Sequence, residues 1–60
     1  MVNNSEIAER LNINVEFVNK SPSIQNTYKE INENPNMSQE EKEDAFDEMA
    51  EIIKDMLEKK

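Results

Sequence analysis

The sequence predicts an all-α fold, a small bundle of three short helices plus a long amphipathic C-terminal helix, on three observations. Glycine is absent from all 60 residues, and tight β-hairpins favour glycine where φ must be positive. Apolar residues recur at three- and four-residue spacing, the period of a helix face. Capping residues and prolines stand where those periodic stretches begin and end.

The first helix is expected from Asn4 or Ser5 through Leu11, with Ile7, Ala8 and Leu11 on one face. Asn12 can take the left-handed conformation that closes a helix. A second, short helix follows from Asn14, a good N-cap, to Lys20, with Val15 and Val18 three apart. Ser21-Pro22 reads as an N-cap followed by proline at the first helical position. The third helix then covers residues 22–33, with Ile24, Tyr28 and Ile31 along one side. It stops at Asn34-Pro35-Asn36, because proline disfavours helix in the residue before it.

The C-terminal helix carries the strongest start signal. Ser38-Gln39-Glu40-Glu41 fits a capping box, in which Ser38 caps the helix and Glu41 reaches back. Acidic residues crowd the first turns and Lys59-Lys60 stands at the far end, in keeping with the helix dipole. The chain is expected to be one helical domain, residues 1–60, with a short-helix segment over 1–34 and the long helix over 38–59.

A chain of this length buries only about 60% of the surface its unfolded form exposes. Disulfides or a partner are the usual remedies, and with no cysteine and no histidine a disulfide or an ordinary zinc site has no parts. The same absences remove the nucleophile–base pairs of enzymes, and no glycine-rich phosphate cradle exists. A non-enzyme without cofactor or metal is therefore expected. Fourteen acidic residues stand against seven basic ones, a net charge of −7, which repels phosphate backbones and suits a basic partner or plain solubility. Neither a signal peptide nor a membrane-length apolar run is visible, so a cytoplasmic location without membrane attachment is expected. The abundance of Asn, Lys, Glu and Ile resembles AT-rich bacterial, plasmid or phage coding.

Residues 4–20 resemble the first two helices of a helix-turn-helix motif, over the stretch Ile7-Ala8-Glu9-Arg10-Leu11-Asn12-Ile13-Asn14-Val15-Glu16-Phe17-Val18. Small Ala8 would let the two helices approach, and Leu11, Ile13 and Val18 would form their shared core. Asn12 takes the turn position where glycine is usual. The second helix of such a motif enters the major groove, so the resemblance implies that Asn14, Glu16, Asn19 and Lys20 face DNA. The stretch departs from the motif where Ser21 replaces an apolar residue and Pro22 shortens the second helix. Only Arg10, Lys20 and Lys29 are at hand to meet phosphates. A packed helical corner is the leading reading of this segment, with DNA binding second.

On the long helix, Ala45, Phe46, Met49, Ala50, Ile52, Ile53, Met56 and Leu57 fill an arc of about 160° at 100° per residue. A helix covering its own domain needs a stripe of roughly 100° or somewhat more. The arc therefore has an edge to spare. The expectation is that Ala45, Met49, Ile52 and Met56 pack inward on the first three helices. Phe46, Ile53 and Leu57 would then meet a partner, with Met49 and Met56 adapting to it through flexible thioethers. The opposite face carries Asp44, Asp47, Glu48, Glu51, Asp55 and Glu58 within about 100°. It is a solvated face or, through Asp47, Glu51 and Asp55, a recognition ridge or phosphate mimic.

The leading functional expectation is regulatory binding to another protein, or to itself as a homodimer, in the manner of phage or mobile-element antirepressors, inhibitors or recombination directionality factors. A helix-turn-helix transcriptional regulator and an acidic DNA mimic are the alternatives.

Overall fold

A computed structural model describes residues 2–58. Four helices follow in order: α1 (Asn4–Leu11), α2 (Val15–Asn19), α3 (Pro22–Glu33) and α4 (Gln39–Glu58). No strand occurs among the described residues. The expected end of the long helix at Lys59, and the dipole partners Lys59-Lys60, lie outside the described residues.

Local chemistry sets each boundary. The Asn3 side chain accepts from the Glu6 N–H at 2.8 Å and caps α1. Asn12 ends that helix in the left-handed region, φ 58° and ψ 47°. There the Ile13 N–H donates to the Ala8 carbonyl at 3.0 Å and the Asn12 N–H to that of Glu9 at 3.2 Å. This is the Schellman pattern, closed by asparagine in place of glycine. Asn14 caps α2 through Glu16 N–H at 2.8 Å. Ser21 holds the N-cap position of α3 with Pro22 behind it, but its side chain makes no cap bond. Its carbonyl instead accepts from Ile24 and Gln25.

The capping box of α4 is complete. The Glu41 N–H donates to Ser38 Oγ at 3.1 Å, and the Ser38 N–H donates to Glu41 Oε1 at 2.9 Å. In the loop before it, Asn34 Oδ1 accepts from the Asn36 N–H at 2.9 Å, so an asparagine side chain shapes the turn around Pro35.

The core consists of Ile7, Ala8, Leu11, Val18, Ile24, Tyr28, Phe46 and Ile53, with Val2, Ile13, Phe17, Ile31, Met49 and Ala50 packed around it. Each fully buried large side chain contributes about 1.5–3 kcal/mol relative to exposure. Among the described residues no polar or charged residue is buried. α1 is central and touches the other three helices; α2 lies against α1 and α3, and α4 packs on α1 and α3 only.

Polar contacts also tie the helices together at the rim. Gln25 Nε2 donates to the Val18 carbonyl at 2.8 Å and Lys42 Nζ to the Asn32 carbonyl at 2.8 Å, so α2 and α3 each have a C-terminal carbonyl satisfied. Arg10 Nη2 reaches both Asp47 Oδ1 and the Glu43 carbonyl at 3.2 Å, joining α1 to α4.

Candidate protein-binding surface

α4 is 20 residues long, or about 30 Å at 1.5 Å per residue, against a longest molecular dimension of 36 Å. Its rotation about its own axis is set at Phe46. The Phe46 ring stacks on Tyr28 of α3 with centroids 4.3 Å apart and planes 12° from parallel. The Arg10 guanidinium carbon lies 5.5 Å from the Phe46 centroid, close enough for a cation–π contact. One aromatic side chain of α4 is thus held by α1 and α3 together.

That rotation corrects the expected assignment of the two edges. Phe46 and Ile53 are only 5% and 3% exposed and belong to the core, so neither is available to a partner. Ile52, expected to face inward, is 59% exposed, and Met56 beside it 56%. Met49 lies between the two edges and Ala45 on the outer one nearer the start of the helix, both half-buried. The physical reason is that the larger aromatic edge found a ring to stack on, and turning Phe46 inward swings Ile52 and Met56 out.

Leu57 is exposed for a different reason. It stands one turn beyond Ile53 on the same stripe, yet it is 39% exposed because every described residue from Lys54 onward is exposed. The cover supplied by α1 and α3 ends at Ile53 while the apolar stripe continues. Of the five residues expected at a partner surface, Met56 and Leu57 are exposed, Met49 is at the margin, and Phe46 and Ile53 are core. Ile52 is the exposed apolar residue that the sequence reading turned inward. The signal that could have found it was Phe46 itself, the sole aromatic residue of the helix.

The acidic ridge lies on the open side of α4. Asp47 is committed to Arg10 at 3.2 Å, and the pair is partly exposed. Glu48, Glu51, Asp55 and Glu58 are exposed. Glu48 and Asp55 flank Ile52 at i−4 and i+3, so the outer apolar edge is bordered by carboxylates along its length.

In the helix-turn-helix-like segment, Asn12 makes the turn between α1 and α2 as the resemblance implies. α2 is five residues long. Asn14 is engaged in its cap, and Asn19 Oδ1 accepts from Asn4 Nδ2 at 2.8 Å. Glu16 and Lys20 are exposed.

An open recess of about 480 Å³ is lined by Val2, Glu6, Lys29, Asn32 and Glu33. It mixes both charges at its mouth and holds no nucleophile–base pair. No group of three or more potential metal ligands is found among the described residues, and no helix there is long and apolar enough to cross a membrane.

No protein family, curated protein or solved structure matches the chain.

Proposed function

We propose that this protein is a non-enzymatic regulatory binder that grips another protein with the outer edge and C-terminal end of α4. The carrying observation is that Ile52 and Met56, four apart on one face of α4, are both exposed, with Leu57 exposed at the end of the neighbouring stripe. Single exposed apolar residues are ordinary, but large ones adjacent on one face, as Ile52 and Met56 are, suit a contact surface. Met56 on this edge, and Met49 at its margin, are methionines, whose thioethers adapt to irregular partners. A chain this small also gains the most from extra burial. Its composition and size suit an antirepressor, inhibitor or recombination-directionality role in a phage or mobile element, by analogy of type alone.

The test is capture of interacting protein by wild type and by the Ile52→Asp/Met56→Asp double variant, with helicity followed by circular dichroism. The variant should keep its helical signal and lose the captured protein. A folded variant that captures the same protein at the same yield would contradict the proposal.

The DNA-binding reading keeps one favourable observation, the left-handed turn at Asn12 between α1 and α2. A five-residue α2 and an Arg10 held by Asp47 weigh against it. If it holds, duplex affinity should fall steeply with salt and drop on Lys20→Gln.

A further inference from the structure

We infer that the partner of α4 is a basic amphipathic helix, not a second copy of this chain. The inference rests on the binding reading above and adds the chemistry of the partner. A stable specific interface takes about 800 Å² from each side, roughly a sixth of the 4521 Å² that this molecule exposes. Ile52, Met56 and Leu57 are too few to fill such an area, so the occupant must extend along α4 over their neighbours. Ala45, Met49, Ile52 and Met56 follow 4-3-4 spacing, the seam against which a partner helix lies.

What borders that seam decides the occupant. On one side the helix dips into its own core at Phe46 and Ile53. On the other stand Glu48 and Asp55, in the positions that choose partners by charge in paired helices. Glu51 and Glu58 continue the acidic border. A second copy docked antiparallel would set Glu48 and Asp55 against the same residues of its mate. Like charges placed so are destabilising, and each copy brings a net charge of −7. A helix with an apolar stripe flanked by Lys or Arg covers Ile52 and Met56 and meets the border with opposite charge. Charge of this kind acts chiefly on specificity and association rate, while the apolar stripe supplies the grip.

The experiment titrates the full chain with three synthetic 21-residue peptides. The first has Leu at a and d positions and Lys flanking them, the second replaces Lys by Glu, and the third shuffles the Leu residues off the stripe. Solution mass across a concentration range is measured in parallel. The Lys-flanked peptide is expected to bind at least tenfold more tightly than either control. Its affinity should fall at least tenfold with Ile52→Asp/Met56→Asp and severalfold with Glu48→Gln/Glu51→Gln or added salt. Equal binding of the Lys- and Glu-flanked peptides would overturn the charge inference and leave the α4 binding surface standing. Equal binding of the shuffled peptide, or indifference to Ile52→Asp/Met56→Asp, would overturn the surface itself. A dimer without peptide, dispersed by Ile52→Asp, would assign the edge to a second copy and overturn the inference.

Discussion

Two residues show most plainly how single side chains hold this fold. Asn12 is the only described non-glycine residue with positive φ, a conformation that costs most L-residues about 1–2 kcal/mol and asparagine less. Asn12→Ala should therefore lower stability by about 1 kcal/mol, or about 4–8 °C in melting temperature for a domain this small. Asn12→Gly should melt no lower than wild type, and thermal melts of the two variants check both expectations. Tyr28 is the second case. Burial pushes its hydroxyl pKa above the ordinary value of 10.0, with Glu6 adding to the rise and Arg10 opposing it. A raised folded pKa means that the folded state holds the proton more tightly than the unfolded state. The associated stability is fully present below the unfolded value and is lost as pH rises through the folded one. Because Tyr28 is the sole tyrosine, its ultraviolet absorbance change on ionisation reads this directly. Its midpoint should lie above 10 in the folded chain and fall toward 10 in denaturant.

At the scale of elements, caps and breakers were legible because they act over three or four residues. Asn12, Asn14, Pro22 and the Ser38–Glu41 box all stand where the sequence put them. The width of the apolar arc on α4 was legible too, but its phase was not. Periodicity says which residues share a face and is silent on which edge of a wide face turns inward. The Tyr28–Phe46 stack settles that, and its partners are 18 positions apart. The same distance problem hid the role of Arg10, which reads locally as a cation free for phosphate and is spent on Asp47 and the Glu43 carbonyl. If Phe46 sets the phase of α4, Phe46→Ala should cost about 3–5 kcal/mol. That is most of the stability expected at about 0.05–0.15 kcal/mol per residue. Denaturant unfolding should show a largely lost transition. Arg10→Ala should cost only about 1 kcal/mol, as exposed ion pairs and cation–π contacts do.

At the scale of the whole molecule, α1 and α3 cover a fourth helix that is longer and wider in apolar surface than they can hide. α1 and α3 bury α4 as far as Ile53 and along one edge only. What is left is the outer edge, Ile52 and Met56, and the end, Leu57, beside a border of carboxylates. The proposed function lies in that excess. The most direct test is a pair of adjacent substitutions, Ile52→Asp and Ile53→Asp, compared by circular dichroism melts. Ile53→Asp places a charge in the core and should abolish the helical signal and the transition. Ile52→Asp should stay within about 0.5 kcal/mol of wild type, as exposed substitutions do. Unfolding by Ile52→Asp with Ile53→Asp intact would mean that α4 packs on its other edge, and the binding surface proposed on Ile52 and Met56 would be lost with it.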